Sequence, residues 1–452
     1  MRSMNRILVI EDELNLQRSL ASFLGEKGYE VRAAATAAEA FEVLAGFEPR
    51  AIILDVRLPD ASGLDLIEPL KRQVPKARVI MITAFHDMDT TIQAMKRGAF
   101  DYLNKPLDID ELERSVQRAT HRPKLRSAPA RPPAAPAEDA AGRQLVGSSR
   151  AMSQIFKTIG LLATNQATVL ITGETGTGKE VIARVIHNNS PHSGEPFVTV
   201  DCTTLVSNLM ESELFGHEKG AFTDASAAKP GRLELAGQGT IFFDEIGDLS
   251  PSLQAKLLGF LERREFTRVG GTLLRHSHAR IIGATNRSLE KLAALGDFRP
   301  DLLFRLKVAT VQVPPLRERL EDLEDLVPFF LHRIFQEFGL AITMIEKGVM
   351  ELLTAYTWPG NVRELLNVLT KAALQCRDEV LLTEAVRAAL ATSHQALEPA
   401  TAFPTLAEAE KQHLEAALRL TKWNISAAAR LLGVTRPTLR SHLAKHGLRR
   451  PA

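Results

Sequence analysis

Three sets of residues in this sequence have chemical types and spacing that suit phosphate chemistry. A glycine-rich segment, GETGTGKE, is followed later in the chain by TIFFDE. A basic C-terminal region has no acidic residue from Ala416 onward. The remaining set consists of polar residues that directly follow apolar segments near the N-terminus, namely Glu11 and Asp12 after RILVI, Asp55 after AIIL, Thr83 after VIMI and Lys105 after DYLN.

The N-terminal set predicts a carboxylate that accepts a phosphoryl group. In open parallel sheets, ligands bind at the carboxyl ends of the strands, where these residues would lie. Glu11, Asp12 and Asp55 would repel one another there unless a hard cation held them, and Mg²⁺ prefers oxygen ligands. Asp55 is the best nucleophile because it ends the most uniformly apolar segment. Lys105 would offset charge on the phosphoryl oxygens, and Thr83 would hydrogen-bond one of them.

The segment GETGTGKE lies between the apolar run TVLIT and the helical pattern VIARVIH. This is the setting of a phosphate-binding loop, in which backbone N–H groups and a helix N-terminus face the phosphates of a nucleotide. Lys179 would reach the β- and γ-phosphates, whereas Glu180 stands where Ser or Thr usually binds Mg²⁺. The predicted loop comprises Gly173, Glu174, Thr175, Gly176, Thr177, Gly178, Lys179 and Glu180.

Two later segments supply the chemistry that ATP hydrolysis would need. Asp244 in TIFFDE is placed to coordinate Mg²⁺, directly or through water, and Glu245 to polarise the attacking water. Asn286, which follows the apolar run RIIGAT, would position that water.

Three arginines have two open interpretations. Arg299 and Arg305 lie six residues apart around a helix start, and Arg363 lies in WPGNVREL. Each could stabilise the transition state at a nucleotide, including one bound to a neighbouring subunit, or form an ordinary surface salt bridge.

The C-terminal region has the charge of a nucleic-acid-binding domain, with a basic solvated bundle as the alternative. Its sequence predicts two helices joined at Gly433, the first capped by Asn424 or Ser426 and the second by Thr435, with Pro437 in its first turn. The second helix would enter the major groove. Core positions are predicted at Leu431, Val434, Leu439 and Leu443. The predicted DNA contacts are Thr435, Arg436, Thr438, Arg440, His442 and Lys445.

The elements that position these residues belong to an α/β multidomain chain of 452 residues. Segments rich in Pro and Ala predict linkers at residues 122–142 and, more loosely, 391–404, leaving blocks at 5–121, 143–390 and 405–450. The first block alternates apolar runs with helical patterns such as Leu14 to Leu24 and Thr90 to Lys96, which predicts a doubly wound parallel sheet. The second repeats this style and turns helical after about residue 322, and the third is helical throughout.

Composition excludes several classes of protein. A hydrophobic fraction of 45% with 24% charged residues is normal for a soluble globular chain. No run approaches the roughly 20 apolar residues that span a membrane, so we predict a cytoplasmic protein with no membrane partner. Cys202 and Cys376 have no metal-ligand spacing, and we expect both to be reduced and buried.

The first block resembles the response-regulator receiver family over about residues 5 to 120. The motifs IEDE, ILDVRLPDASG, ITA and DYLNKP occur in the family's order. The resemblance implies that Asp55 accepts phosphate from a sensor histidine kinase and that Thr83 and Tyr102 form the switch that reports it. It also implies a cis peptide bond between Lys105 and Pro106.

The second block resembles the AAA+ domain of sigma-54-dependent activators of the nitrogen-regulator-C type, from about residue 145 to 390. Glu180 is normal in that family. The resemblance makes Arg299 and Arg305 fingers that act in a neighbouring subunit of a hexameric or heptameric ring, and Arg363 a nucleotide sensor. Its most specific element is ELFGHEKGAFTDA, whose loop would touch sigma-54 chiefly through Phe222 and Thr223. The loop comprises Gly220, Ala221, Phe222, Thr223, Asp224 and Ala225.

Two positions depart from this family pattern. Asp224 replaces the second glycine of the usual GAFTGA, which adds charge and removes easy access to positive φ. Asp201 replaces an Asn that would restrain Glu245, and an Asp there would repel Glu245 instead of donating a hydrogen bond to it.

The third block resembles the Fis-type helix-turn-helix, which implies a dimer on a pseudo-palindromic double-stranded DNA site. Together the blocks predict a two-component regulator that uses ATP and Mg²⁺ to remodel sigma-54 RNA polymerase. The alternative is a DNA-binding regulator whose ATPase drives only oligomerisation. A AAA+ chaperone or protease subunit is disfavoured by the DNA-binding block.

Overall fold

A computed structural model of the chain describes residues 5–84, 88–120, 145–203, 207–222, 225, 227–340, 342–376, 380–397, 406–421 and 423–448. The predicted linker at 122–142, the loop residues Thr223 and Asp224, and part of the second linker lie outside these ranges. The chain divides after Arg387 into two compact units. No helix in the described ranges is long and apolar enough to cross a membrane.

The first part of unit 1 is a doubly wound α/β domain with a parallel sheet in the order β2-β1-β3-β4-β5. β1, β3 and β4 are apolar runs buried on both faces, as expected for a parallel sheet covered by helices, whereas the edge strand β2 is partly exposed. In this strand order β3, which ends at Asp55, is the central strand. The elements are β1 (Arg6–Ile10), α1 (Leu14–Glu26), β2 (Glu30–Ala34), α2 (Ala37–Leu44), β3 (Ala51–Asp55), α3 (Gly63–Gln73), β4 (Arg78–Thr83), α4 (Met88–Lys96), β5 (Asp101–Asn104) and α5 (Ile109–Thr120).

The second part of unit 1 is an α/β domain with a parallel sheet in the order β14-β6-β13-β10-β7. This order brings the ends of β6, β13 and β10 side by side. The elements are α6 (Arg150–Ala163), β6 (Val169–Thr172), α7 (Lys179–Asn188), β7 (Phe197–Asp201), α8 (Ser207–Phe215), β8 (Gly216–His217), β9 (Lys229–Pro230), α9 (Arg232–Leu235), β10 (Thr240–Asp244), α10 (Pro251–Arg263), β11 (Glu265–Thr267), β12 (Leu274–His276), β13 (Arg280–Thr285), α11 (Leu289–Leu295), α12 (Pro300–Leu306) and β14 (Ala309–Gln312).

A lid follows, built of α13 (Leu323–Phe338), β15 (Met344–Ile345), α14 (Lys347–Ala355), α15 (Asn361–Gln375), β16 (Val380–Leu381) and α16 (Thr383–Leu397). The prediction of a wholly helical segment is nearly right, but β15 and β16 pair in parallel. α16 continues through Leu397, so residues 391–397 of the predicted second linker are helical. Cys202 is buried as expected, whereas Cys376 is only half-buried.

Unit 2 contains α17 (Leu406–Leu420), α18 (Ile425–Leu431) and α19 (Arg436–Lys445). Asn424 caps α18 by accepting hydrogen bonds from Ser426 N and Ala427 N, and Thr435 caps α19, which confirms the predicted helix starts.

The predicted core of unit 2 is half right. Leu439 and Leu443 are buried, but Leu431 is 60% exposed and Val434 is 38% exposed. Leu431 is exposed because of the way α18 is rotated about its axis. Ala428 and Ala429 turn inward against α17, and this turns Leu431 towards solvent.

Candidate phosphorylation, nucleotide and DNA sites

The carboxyl ends of β1, β3 and β5 bring the predicted acidic cluster together. Asp55 is 5% exposed at the end of β3. Lys105 Nζ lies 2.6 Å from Asp55 Oδ2 and 2.9 Å from Glu11 Oε1, so it neutralises both carboxylates. Thr83 is buried at the end of the neighbouring strand β4. The side chains are arranged to offset negative charge around the Asp55 carboxylate.

The donor set of this cluster fits a hard cation. Carboxylate oxygens of Glu11, Asp12 and Asp55 all lie within 4.8 Å of one another. Burial raises the pKa of Glu11 to about 7, an effect that the hydrogen bond from Lys105 opposes. Glu11 Oε2 is buried and has no hydrogen-bond partner among the described residues. A buried carboxylate oxygen of this kind is a suitable metal ligand.

Two further receiver features are positioned as the family resemblance implies. The Lys105–Pro106 peptide bond is cis. Tyr102 is 1% exposed on β5 and belongs to the core that lies under α4.

The predicted nucleotide site coincides with a cavity of about 380 Å³ between the phosphate loop and the lid. Lys179 Nζ donates to Gly173 O at 2.9 Å and lies 3.2 Å from Glu245 Oε1. Gly176 and Gly178 have positive φ, which lets the loop curl around its own backbone N–H groups. The residues of the predicted loop and β10 that line the cavity are Thr175, Gly176, Thr177, Gly178, Lys179, Glu180, Asp244 and Glu245.

Glu245 and Asn286 meet at the ends of β10 and β13. Asn286 N donates to Glu245 Oε2 at 2.8 Å, and Asn286 Nδ2 donates to Thr175 Oγ1 at 2.8 Å. Burial, reinforced by the charge of Glu245, raises the pKa of Asp244. This environment favours a cation beside Asp244, because a cation would offset the charge of two adjacent carboxylates.

The Asp201 carboxylate is hydrogen-bonded within its own loop. Its Oδ1 accepts hydrogen bonds from Thr203 N at 2.8 Å and from Thr203 Oγ1 at 2.7 Å. Asp201 pairs in register with Asp244, and it contributes to the raised pKa of Asp244. The turn between Asp201 and Thr203 therefore fixes the Asp201 carboxylate within the loop after β7.

Sequence reasoning missed the residues that join the phosphate loop to the lid. Arg317 binds Glu174 with two hydrogen bonds, of 2.8 and 2.6 Å. The fully buried Asn361 donates from Nδ2 to Glu174 Oε2 at 3.2 Å and to Thr175 O at 3.1 Å. The sequence offers one signal for these contacts: both residues lie in segments with Pro or Gly, PPLRER and WPGN, which are typical of loops.

The three arginines occupy different positions. Arg299 is exposed and paired with Asp301 at 2.7 Å, and that hydrogen bond raises its pKa. Arg305 lies 3.7 Å from Glu262 on the exposed surface. Arg363 lines the nucleotide cavity, and its backbone N–H donates to Gly176 O at 3.2 Å. Arg363 is therefore the one of the three that lies at the nucleotide cavity of its own subunit.

The predicted sigma-54 loop has an exposed aromatic tip. Phe222 is 39% exposed and packs edge-on against His217, with the ring centroids 5.0 Å apart. Gly220 N donates to Ala225 O at 2.8 Å, which closes the turn. Ala225 is 5% exposed and closes the base of the loop, so the predicted contact with sigma-54 would be made by its neighbours unless the loop opens.

In unit 2, Arg436, Thr438, Arg440 and Lys445 are exposed on α19. Thr435 uses its hydroxyl to cap the helix. His442 is hydrogen-bonded to Glu410 of α17, and His446 binds the same carboxylate at 3.0 Å. His442 is thus held against α17, and Lys445 Nζ also donates to the Glu410 carboxylate, at 3.3 Å.

Family models cover most of the chain. They match a response regulator receiver domain at residues 7–117, a sigma-54 interaction domain at 145–312, a AAA+ ATPase lid domain at 317–402 and a bacterial regulatory protein of the Fis family at 405–446.

Curated relatives match this sequence along nearly the whole chain. Regulatory protein AtoC of Escherichia coli K12 is 37% identical, with 99% of both chains covered. Transcriptional regulatory protein ZraR of the same strain is 39% identical, covering 97% of this chain and 98% of the relative. Response regulator protein PilR of Pseudomonas aeruginosa is 38% identical, covering 99% and 100%.

Solved structures of similar proteins also match nearly the whole chain. NtrX from Brucella abortus in complex with ADP is 33% identical with a TM-score of 0.55, covering 98% of this chain and 100% of that one. Its complex with ATP gives a TM-score of 0.54 at 33% identity, with the same coverage.

These matches favour the activator hypothesis over an ATPase that serves only oligomerisation. The matched structures of NtrX contain ADP and ATP. The chain belongs to the family of sigma-54-dependent, two-component response regulators that join a receiver, a AAA+ ATPase and a Fis-type DNA-binding domain.

Proposed function

We propose that phosphorylation of Asp55 turns on an ATPase whose hydrolysis cycle remodels sigma-54 RNA polymerase through the Phe222 loop. The observation that carries the proposal is that one compact unit holds both parts of such a machine. Lys179, Glu245 and Asn286 converge at the nucleotide cavity. The loop of the same domain exposes Phe222 to solvent.

The input step uses the acidic cluster of the receiver. The Asp55 carboxylate attacks phosphorus of a phosphohistidine on a sensor kinase, the P–N bond breaks, and the imidazole leaves. Mg²⁺ held by Glu11, Asp12 and Asp55 would offset charge on the transferring group. Lys105, 2.6 Å from Asp55 Oδ2, is placed to bind a phosphoryl oxygen. Thr83 and Tyr102 would then report the change to α4 and β5.

The hydrolytic step uses residues at the ends of β10 and β13. Glu245 orients and polarises the attacking water, and Asn286 holds the Glu245 carboxylate through its backbone N–H. Asp244 would hold Mg²⁺, directly or through water. Lys179 binds the β- and γ-phosphates, which offsets the negative charge that develops as the γ-phosphoryl group leaves.

Subunit assembly completes the site. Arg299 and Arg305 lie on the exposed surface, where their charges would act on nucleotide bound to a neighbouring subunit of a hexameric or heptameric ring. Arg363, at the cavity of its own subunit, would sense nucleotide and move the lid.

The output step has two partners. Gly220, Ala221 and Phe222, with Thr223 and Asp224 beyond the described residues, would contact sigma-54. A dimer of unit 2 would bind a pseudo-palindromic DNA site through Arg436, Thr438, Arg440 and Lys445 of α19. Both partners place the protein in the cytoplasm.

Open-complex formation on a sigma-54 promoter, with purified components, tests the proposal. We expect ATP to support it and a non-hydrolysable analogue not to. Lys179→Ala should lose both hydrolysis and open complexes. Phe222→Ala should keep hydrolysis and lose open complexes, whereas Phe338→Ala, at a phenylalanine exposed on the lid, should keep both.

The input step is tested in the same assay. Acetyl phosphate should stimulate the unaltered chain and have no effect on Asp55→Asn, while Asp65→Asn, at an exposed carboxylate nearby, should behave as the unaltered chain. Open complexes formed normally by Phe222→Ala would refute the output step. Stimulation of Asp55→Asn would refute the input step.

A further inference from the structure

Helix α6, the first helix of the ATPase domain, packs against the receiver domain. Lys157 of α6 is 7% exposed, and its Nζ lies 2.9 Å from Asp101 Oδ1 on β5. Gly160 lies so close to α4 that a Cβ there would come 2.6 Å from Met95 Cβ. Ile92 of α4 belongs to the same buried cluster as apolar residues of α6. Any movement of α4 therefore displaces or strains α6, because both are close-packed.

The N-terminus of α6 is joined to the segment that leads into the lid. Ser149 caps α6, and its backbone N–H and hydroxyl donate to Asp322 at 2.7 and 3.0 Å. Asp322 is fully buried. The guanidinium of Arg319, 2% exposed, lies 3.8 Å from the Asp322 carboxylate. A buried charge pair of this kind holds its surroundings in one arrangement, because each charge is costly without the other.

Arg319 connects that pair to the phosphate loop. Its Nη2 donates to Thr177 O at 3.2 Å, and its Nη1 contacts Met152 Sδ of α6 at 2.8 Å. The side chain also lines the nucleotide cavity. Its Nε is buried without a hydrogen-bond partner among the described residues. An apolar residue would fill this space without burying an unpaired donor, so simple packing does not account for an arginine here.

We propose that Arg319 and Asp322 are positioning residues that set the conformation of the phosphate loop according to the position of α6. The route runs from α4 and β5 of the receiver, through α6 and Ser149, to Asp322, Arg319 and the carbonyl of Thr177. It gives the receiver a physical connection to the nucleotide site within one subunit. The proposal rests on the proposed function only in requiring that ATP binds at this loop, and it is independent of any contact with sigma-54.

The positioning role is tested by Arg319→Lys in the full chain. Lysine keeps the charge beside Asp322 but cannot bind both Thr177 O and Met152. Because a charge-assisted hydrogen bond to the loop is lost, we expect ATP to bind about tenfold more weakly. KM should rise by a similar factor while kcat changes less, and the midpoint of thermal unfolding should stay close to that of the unaltered chain. The matched control is Arg264→Lys, since Arg264 donates to Ala279 O away from the nucleotide cavity.

The coupling is tested by Lys157→Met, which removes the ion pair with Asp101 and leaves the ATP site untouched. We expect it to change ATP affinity severalfold in the unaltered chain and to have no further effect in the Arg319→Lys background. Gln154→Ala, at an exposed position of α6, should change affinity in neither.

Three results would overturn the proposal. They are unchanged ATP affinity and KM in Arg319→Lys, no effect of Lys157→Met in the unaltered chain, and an effect of Lys157→Met of equal size in both backgrounds. Normal hydrolysis by Lys179→Ala would overturn the loop assignment as well, which separates that failure from a failure of the coupling alone.

Discussion

Asn361 offers a direct test of how the lid holds the phosphate loop. The residue is fully buried and has a φ of 54°, a left-handed conformation that Asn and Gly tolerate. Its Oδ1 accepts a hydrogen bond from Leu316 N at 2.8 Å, and its Nδ2 donates to Glu174 and Thr175 in the loop. We therefore choose Asn361→Gly, which removes these bonds without adding backbone strain.

The expected magnitude follows from the lost hydrogen bonds. The two bonds to the phosphate loop contribute about 0.5–1.5 kcal/mol each, or roughly 1–3 kcal/mol together. If that energy orders the loop for nucleotide, ADP and ATP should bind about 5- to 150-fold more weakly. The buried N–H of Leu316 also loses its acceptor, which costs about 1–3 kcal/mol of stability. For a domain of this size, that loss lowers the midpoint of thermal unfolding by roughly 2–12 °C.

The assay is titration of a fluorescent ADP analogue into the full chain, with thermal unfolding followed in parallel. Asn367→Ala is the matched control, because Asn367 is exposed on the same helix, and it should change stability by less than about 0.5 kcal/mol. A nucleotide affinity within twofold of the unaltered chain, together with a lowered unfolding midpoint, would refute the reasoning. It would show that Asn361 stabilises the lid without ordering the loop.

Three further predictions concern single residues. Gly176→Ala should weaken nucleotide binding at least about tenfold by equilibrium titration, because Gly176 has positive φ and a Cβ would clash with Gly360 O of the lid. The pKa of Glu410 is lowered to about 2, chiefly by His446, so its stabilisation of unit 2 should be full above about pH 4.5 and lost as the pH falls towards 2. Circular dichroism should show this acid dependence, and Glu410→Gln should lack it. Leu439→Ala should cost about 2–5 kcal/mol in chemical unfolding, whereas Leu431→Ala should cost less than about 0.5 kcal/mol, because only Leu439 is buried.

The fold of the two α/β domains could be predicted from local patterns because the central strands of each sheet are short, mainly apolar runs. RILVI, AIILD and RVIMIT form β1, β3 and β4 with the bounds that those runs suggest. The polar residues directly after them could be placed at one edge for the same reason, since parallel strands share their carboxyl ends. The acidic cluster around Asp55 could thus be predicted once the strands were known to be parallel and adjacent.

Residues whose partners lie far away in sequence could not be found in this way. Arg317 and Glu174 are 143 residues apart, and Asn361 is 186 residues from Thr175. No local period or cap marks such a pairing, because it depends on where the lid folds back over the sheet. Leu431 shows the opposite problem: its apolar side chain fits a core pattern, but the register of α18 against α17 turns it to solvent.

The departure at Asp201 involves contacts that the sequence did not predict. Repulsion with Glu245 stays a prediction. Thr203, two residues away, donates two hydrogen bonds to Asp201 Oδ1. The charge of Asp201 also acts on Asp244, its neighbour in the β7–β10 pairing. Glu245 is held by two groups, the backbone N–H of Asn286 at 2.8 Å and the ammonium group of Lys179 at 3.2 Å. Since phosphates would compete for the ammonium group, nucleotide binding would free Glu245 from that one contact.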